Sequence, residues 1–415
     1  MATSLSLLSN ANRVETPFVK VQIGDYVFGV AEKRISKTRG SDGVYKTVTT
    51  KYPNYVQDLQ VSKVSGKVNT YELSLAYPIT AGSDPNFFDK VFSSVSSSRK
   101  IIFSYGDLAT PQFAYRNEEA IITNVTQQLS FSASVITYRI SAVSSGKLLS
   151  AGSYNFKARY DKPSKIIKEL LQNKAFGLQD IFYGMRDIGL VEQAGLIRGD
   201  DKIVYIEAKT NISVLDYLSY LVQCMTKDSI LNRSNSGVYT FSIIDDTTGK
   251  FGGPYFKIDL ISKAFDTAAT YEIEAGYPGS AIITDIQIQN DESYSIFYEY
   301  QNKINDAEYR QTISDTGELI DQYAPILSSG NAQNETNSVD ATWWRKVTEY
   351  PITLTLSMRG LLRSAILMTN VRLKLYYYGK LHSASGKYIV TKQVDRISAS
   401  GYSTQLTLTR IGADE

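Results

Sequence analysis

The chain has 415 residues, of which 43% are hydrophobic and 21% are charged, and its formal net charge is +2. This length predicts two to four folded domains, and the composition excludes an intrinsically disordered chain. The near-neutral charge argues against specific nucleic-acid binding. No apolar run reaches the roughly 20 residues that a membrane-spanning helix needs, so stable membrane insertion is not expected.

The sequence has one cysteine, Cys224, and one histidine, His382. Intrachain disulfides are therefore excluded, and a zinc site is not expected because such sites use several Cys or His ligands. His382 lies near Ser383 and Ser385, but neighbours in sequence seldom form a catalytic triad, so we expect a turn histidine. The segment DDTTGK at 245–250 is typical of a turn and lacks the spacing of a calcium loop. The sequence predicts no catalytic residue, no metal site and no cofactor.

Residues 1–150 are predicted to form a first antiparallel β domain with a short N-terminal arm. Apolar and polar residues alternate in NTYELSLAY, residues 69–77, so that Tyr71, Leu73 and Leu75 share one face. One helix interrupts the strands: Asp84 is a candidate N-cap, and Phe87, Phe88, Val91 and Phe92 recur at helical spacing. We expect this helix to pack inside the β domain.

Residues 151–262 predict a mixed α+β domain. KPSKIIKELLQN and TNISVLDYLSYLVQCM both carry apolar residues at the spacing of an amphipathic helix. Short apolar segments with the character of strands surround them.

Residues 263–415 predict a second β domain, because YPITLTLSM and NVRLKLYYYGK alternate again. A polar segment at 301–344 has no sustained period, and an insertion of that length inside a domain tends to be functional or disordered. It ends in Trp343 and Trp344. This pair is a candidate interface anchor, since tryptophan is enriched at binding hot spots; the alternative, that it packs under the start of the next strand, stays open.

The two β regions resemble each other. KIIFSYGD, AIITNV and ASVITYRIS follow one another in the first, and LKLYYYGK, KYIVTKQV and QLTLTRIG do so in the second. Each series passes from an apolar strand through a predicted Tyr-Gly turn, at Tyr105-Gly106 and at Tyr378-Gly379. It continues into a hairpin that ends in Arg-Ile, at Arg139-Ile140 and at Arg410-Ile411. This order predicts one β unit used twice around an inserted domain, although strands of β-barrels in general look alike.

The segment at 376–412, YYYGKLHSASGKYIVTKQVDRISASGYSTQLTLTRIG, resembles the C-terminal part of baseplate hub proteins of tailed phages and related contractile injection systems. The residues that carry the resemblance are Ser385, Gly386, Tyr388, Val390, Ile397, Gly401, Tyr402, Thr404, Leu406, Leu408 and Arg410. The segment VNTYELSLAYPITAGSDPNFFDKVFSS, followed by IIFSYGD, is similar to the opening barrel of such hubs. The resemblance covers roughly residues 15–150 and 345–412 and rests on strand patterns.

The resemblance implies a mainly β fold with an α+β insert, in which two tail-tube-like antiparallel β-barrel domains flank the mixed domain. It implies a homotrimer, without enzymatic activity, that adapts a six-fold tail tube to a three-fold central spike and lines the tail channel. The expected partners are a tube or distal tail protein and a spike protein, with a tape-measure protein and a baseplate wedge as further candidates. The expected location is the virion tail, assembled in the host cytoplasm, since MATSLSLLSNANR lacks the pattern of a secretory signal.

Two other interpretations stay open at the level of sequence. A tail-tip protein could use its tyrosine-rich surfaces to bind cell-wall glycans. It could also cleave them, since 42 acidic residues offer many carboxylate pairs for glycoside hydrolysis. A duplicated tube-type protein could also polymerise by itself. Turnover of peptidoglycan that one Asp or Glu substitution abolishes would distinguish the hydrolase from the hub.

Overall fold

The structure is a computed structural model. It describes residues 5–6, 17–29, 34–39, 45–50, 55–80, 82–84, 86–93, 100–107, 115–130, 132, 134–150, 152–172, 203–225, 237–245, 255–262, 271–275, 283–290, 311–313, 319–321, 352–359, 367 and 370–413. For some of these, including 34–39 and 45–50, the description is limited to the backbone.

The first β region contains ten strands and one helix among the described residues. The strands are β1 (Leu5–Ser6), β2 (Pro17–Ile23), β3 (Tyr26–Gly29), β4 (Arg34–Arg39), β5 (Tyr45–Thr50), β6 (Val56–Val64), β7 (Thr70–Pro78), β8 (Lys100–Asp107), β9 (Tyr115–Ser130) and β10 (Val135–Ser144). Helix α1 (Phe87–Ser93) lies between β7 and β8. Its Phe88 and Val91 are fully buried in the core of this region, which confirms the prediction of a helix packed inside the β domain.

The middle region mixes short strands with two longer helices. Its elements are a 3-10 turn (Ser145–Ser150), β11 (Tyr154–Phe156), β12 (Arg159–Asp161), α2 (Pro163–Gln172), β13 (Val204–Ile206), β14 (Lys209–Ile212), α3 (Val214–Cys224), β15 (Gly237–Ile244) and β16 (Tyr255–Ser262). Ser213 caps α3, because its hydroxyl accepts from the amide of Asp216 at 3.1 Å. Both predicted helices are confirmed.

The last region again consists of strands in the described part of the chain. They are β17 (Tyr271–Ala275), β18 (Ile283–Asn290), β19 (Gln311–Ile313), β20 (Leu319–Asp321), β21 (Ile352–Arg359), β22 (Asn370–Tyr377), β23 (Lys380–Leu381), β24 (Gly386–Ser398) and β25 (Gly401–Ala413). Strands β19 and β20 pair with each other inside the polar insertion. The rest of that insertion, with Trp343 and Trp344, lies outside the described residues.

Both β regions belong to one sheet of fifteen described strands. Strand β24 links the two regions, because it pairs with β22 over its first part and with β6 over Lys392–Ser398. The short strand β1 also pairs with β17. Three apolar clusters underlie this arrangement, one in each region. Ile397 and Tyr402, from the β24–β25 hairpin, lie in the cluster of the first region, so the two β regions share part of a core.

The strand pairing repeats within the chain. Neighbouring strands of the first unit lie in the order β2, β8, β9, β10, β7, β6, and those of the second unit lie in the order β17, β22, β24, β25, β21, β18. When only these six strands of each unit are numbered along the chain, both units have the spatial order first, fourth, fifth, sixth, third, second. The neighbour pairs have the same orientation in both units except one, since β2 and β8 are antiparallel whereas β17 and β22 are parallel. The predicted repetition of one β unit agrees with this topology.

The irregularities of the ladders repeat as well. Thr123 is the extra residue of a bulge in β9, and Thr391 is the extra residue at the corresponding place in β24. Each threonine hydroxyl donates to a carbonyl of the facing strand, to Ser141 at 3.0 Å and to Thr407 at 3.3 Å. Bulges are specific local features, so their coincidence supports the repeat independently of strand order.

The register corrects two landmarks of the sequence comparison. Tyr105-Gly106 was expected in a turn, as Tyr378-Gly379 is, but it lies inside β8 opposite Phe18 and Val19. When the bulge threonines are superposed, Arg139 corresponds to Gln405 rather than to Arg410. The repetition is therefore evident from strand order, whereas the Tyr-Gly and Arg-Ile dipeptides coincide by chance.

None of the described helices has the length and apolar character needed to span a membrane. The predicted domain limits at 1–150, 151–262 and 263–415 stay predictions.

Candidate assembly interface

The seam between the two β units is formed by β6 and β24. Ile397 is 5% exposed and lies opposite Leu59, which is fully buried. At the surface of the same seam, the guanidinium of Arg396 donates to the carboxylate of Asp58 at 3.2 Å. An exposed ion pair contributes little free energy, so the apolar contact and the backbone ladder hold the seam together.

A polar network is buried beside this seam. The Lys63 ammonium is in contact with the Glu118 carboxylate, and both side chains are almost completely buried. The hydroxyl groups of Tyr105 and Tyr71 donate to the same carboxylate at 3.0 and 3.2 Å. Burying charge is costly unless it is paired and hydrogen-bonded, and this cluster meets both conditions.

Asp245, which follows β15, extends the network into the middle region. Its carboxylate accepts from Asn69 at 2.7 Å and from Tyr71 at 2.9 Å, and it is also bonded to the Ser144 hydroxyl. Its backbone carbonyl accepts from the amide of Glu119 at 3.1 Å. Asp245 thus joins the middle region to the first β unit. Residues 246–250 of the expected turn lie outside the described residues.

Burial raises the pKa of Asp245 to about 7, with the nearby Glu118 carboxylate acting in the same direction. The Tyr71 hydroxyl lies between these two carboxyl groups. A phenol has a single proton and can donate to only one of them at a time. Below about pH 7 Asp245 holds a proton, and the protonated acid can itself donate a hydrogen bond. The single Tyr71 proton then no longer has to serve two carboxylates.

A second buried carboxyl group, Asp395, lies on β24. It accepts from Thr404 at 2.7 Å, from Gln393 at 2.8 Å and from Tyr402 at 3.1 Å. Burial raises its pKa to about 6, although the hydrogen bonds from Thr404 and Tyr402 and the Lys63 charge oppose the increase. The three regions therefore meet at one set of buried carboxyl groups.

The structure does not bring the sequence-predicted candidates into this network. The imidazole Nδ1 of His382 accepts from the amide of Ala384 at 3.0 Å within a turn, as expected. The Ser385 hydroxyl accepts from the Leu375 amide at 3.0 Å. Sequence reasoning missed Glu118 and Asp245; the only available signal was an acidic residue next to an alternating apolar segment, which many exposed carboxylates share.

Comparison with known proteins rests on structure alone, because no family model and no curated protein matches the sequence. The tail protein from Neisseria meningitidis MC58 superposes with a TM-score of 0.52 over 95% of this chain and 97% of that chain, at 9% identity. The chain has a tail-protein fold.

Two further solved structures are similar to the chain at TM-scores below 0.5. The 43 kDa tail protein of prophage MuSo2 from Shewanella oneidensis covers 95% of this chain and 97% of its own, with 10% identity and a TM-score of 0.49. The E. coli c3393 protein, a type VI secretion component described as similar to the T4 tail proteins gp27 and gp5, covers 86% and 73%, with 11% identity and a TM-score of 0.42.

Proposed function

We propose that the protein is a structural component of a phage-type tail, a homotrimeric hub that joins the six-fold tail tube to a three-fold spike. The observation that carries this proposal is the pair of β units with the same strand order inside one chain that has a tail-protein fold. Three chains present six similar units, so one ring can match a six-fold partner on one side and a three-fold partner on the other.

In this proposal the two β units form tube-like barrels on either side of the middle region, and their ring lines the tail channel. The near-neutral charge of the chain suits a channel that DNA or a tape-measure protein must pass without binding tightly. The proposed neighbours are a tube or distal tail protein and a spike protein, and the proposed location is the virion tail. No enzymatic step is included, and Trp343 and Trp344 stay candidate contacts with a partner.

The test is the solution mass of the full chain, measured by light scattering over a wide concentration range. A trimer of this 46.2 kDa chain has a mass of about 139 kDa. Class averages from electron microscopy should then show three-fold rings with six similar lobes. A protein that stays monomeric when mixed with the tube and spike proteins of its own system would refute the hub, and a mass of two or four chains would refute the trimer.

A further inference from the structure

Two of the strand edges that are open within the described residues lie on β9 and β18. Strand β9 pairs with β8 only up to Ile121, and no described strand pairs with the same edge over Thr123–Ser130. Strand β18 pairs with β21 along one edge, and no strand in the described ranges covers the other. Open edges expose unpaired backbone groups and are the usual sites of pairing with another chain.

The edges of β24 and β6 that correspond to the open edges of β9 and β18 are paired with each other within the chain. In the internal repeat, β24 corresponds to β9 and β6 corresponds to β18. Lys392–Ser398 of β24 pairs with Asp58–Val64 of β6. The contact between β24 and β6 therefore forms within the chain. The two strands that would form the equivalent contact, β9 and β18, are both present but do not pair with each other within the chain.

Equivalent side chains in the two contacts are buried to different extents, as expected if β9 and β18 each lack a partner strand in the isolated chain. Ile397 is 5% exposed on β24, whereas its counterpart Leu129 on β9 is 51% exposed. Val61 is 1% exposed on β6, whereas its counterpart Ile288 on β18 is 43% exposed. Aliphatic side chains that are buried in one unit and exposed at the same place in the other mark a surface suited to being covered.

The open edges also lack the usual protection against pairing. The open part of β9 reads TNVTQQLS and contains neither a charged residue nor a proline. Strand β18 reads ITDIQIQN and contains one charged residue, Asp285. Soluble proteins commonly protect exposed edges with lysine, proline or inward-pointing charge, so these two edges are of the type that pairs.

We infer that the open edge of β9 pairs with the open edge of β18 from a second copy of the chain, antiparallel and in the register of the β24–β6 seam. This register places Leu129 opposite Ile286, Gln128 opposite Gln287 and Gln127 opposite Ile288. Each chain offers one edge of each kind, so the contact is head-to-tail and extends until the ring closes. The inference names the contact surface of the proposed hub, and it rests on that proposal only for the number of chains in the ring.

Disulfide trapping tests the register. The double variants Gln128→Cys/Gln287→Cys and Gln127→Cys/Ile288→Cys place cysteines at adjacent facing positions. One of these two pairs falls at a close, non-hydrogen-bonded site, because such sites alternate along an antiparallel ladder. Under mild oxidation at least one variant should form a covalent ring that is visible on a non-reducing gel.

Three controls make this result specific. Gln128→Cys/Gln289→Cys is two residues out of register and should cross-link at least about five times more slowly, because its Cβ atoms are about 7–8 Å apart. A mixture of the single variants Gln128→Cys and Gln287→Cys should give only covalent dimers, which shows that the bond joins two chains. The wild-type chain, whose one cysteine, Cys224, is buried, should not cross-link.

A substitution on the open face provides a second readout. Leu129→Lys should raise the concentration at which the assembly dissociates by at least about tenfold, since the ammonium would have to be buried without a partner. Leu381→Lys changes another exposed leucine, which is 53% exposed and lies on β23, a strand that pairs with neither β9 nor β18. It should change that concentration less than about twofold.

The outcomes separate the two proposals. A trimer by mass in which neither in-register pair cross-links, or in which the out-of-register pair cross-links equally well, keeps the hub but overturns this contact. Cross-linked open chains or rings of another size support the contact and remove the trimeric hub. A strict monomer that never cross-links overturns both.

Discussion

At the scale of single residues, close packing of backbone against backbone sets the tightest constraint on the first β unit. Gly29 ends β3 with φ +110°, and a Cβ placed there would lie 1.9 Å from the carbonyl oxygen of Val19. Gly401 begins β25 with φ +122°, and a Cβ there would meet nothing within 4 Å. The two glycines therefore share an unfavourable backbone conformation for other residues, but only one of them is also limited by space.

We predict that Gly29→Ala lowers the free energy of unfolding far more than Gly401→Ala does. The left-handed conformation alone should cost about 1–3 kcal/mol at either position. The clash with the Val19 carbonyl should add at least ~2 kcal/mol at Gly29, because the strand backbone would have to move. Thermal unfolding of both variants measures the difference, and equal losses would show that the end of β3 can shift to make room.

At the scale of secondary-structure elements, the end of β15 is joined to the first β unit by polar contacts. The carbonyl of Phe241 accepts from the amide of Gly66 at 2.6 Å, and the carbonyl of Ile243 accepts from the Asn69 side chain at 2.8 Å. Asp245 completes the contact with its buried carboxyl group. The attachment of the middle region therefore depends on the protonation of a group that titrates near neutral pH.

We predict that unfolding becomes easier as pH rises through this range. The pKa values of Asp245 and Asp395 are raised to about 7 and about 6, from the usual 3.8 of an aspartate. The folded state therefore binds protons more tightly than the unfolded state. Their favourable contribution is complete below about pH 4 and is lost as pH rises past 6 and then 7. For Asp245 alone, the shift of about three pKa units corresponds to at most ~4 kcal/mol.

The variant Asp245→Asn tests this assignment, because an amide resembles the protonated acid and does not titrate. Its unfolding midpoint should depend less steeply on pH between 4 and 7 than that of the wild type. Asp25→Asn changes an exposed carboxylate and should keep the wild-type slope. An unchanged slope in Asp245→Asn would mean that other groups cause the pH dependence. Amide hydrogen exchange in β15 should report the same loosening at higher pH.

At the scale of the whole molecule, the same strand contact is predicted to serve twice, once within the chain and once between chains. Ile397 lies in the core of the first β unit, and Leu129 is its exposed counterpart. Truncation of the buried residue removes packing in every chain, whereas truncation of the exposed residue removes packing only where a second chain covers it. The two positions thus distinguish folding from assembly.

We predict that Ile397→Ala lowers the unfolding midpoint at every protein concentration, with a cost of about 2–5 kcal/mol. Leu129→Ala should lower it only at concentrations where the wild type is assembled, because association stabilises the folded state by mass action. Calorimetry over a hundredfold range of concentration separates the two effects. A loss that is independent of concentration in Leu129→Ala would place this side chain in the core of its own chain.

The mainly β character of the chain, the helices α1, α2 and α3, and the repetition of one β unit could be predicted from the sequence. These features are local: Tyr71, Leu73 and Leu75 alternate, and Ser213 precedes an apolar periodicity, whatever the rest of the chain does. The repeat was visible as strand order, but its register was not, since Tyr-Gly and Arg-Ile recur by chance in tyrosine-rich strands.

Which strand edges are paired and which carboxyl groups are buried could not be predicted from the sequence, because both depend on the tertiary structure. Asp245 lies in a turn-like sequence and Glu118 lies beside an equally acidic Glu119, so nothing local distinguishes a network residue from a solvated one. Their partners Asn69, Tyr71 and Ser144 are distant in sequence. Pairing of β24 with β6 joins residues more than 300 positions apart, and its counterpart between chains follows from comparing the two units in space. Long-range contacts of this kind depend on the complete arrangement of strands, which no short pattern encodes.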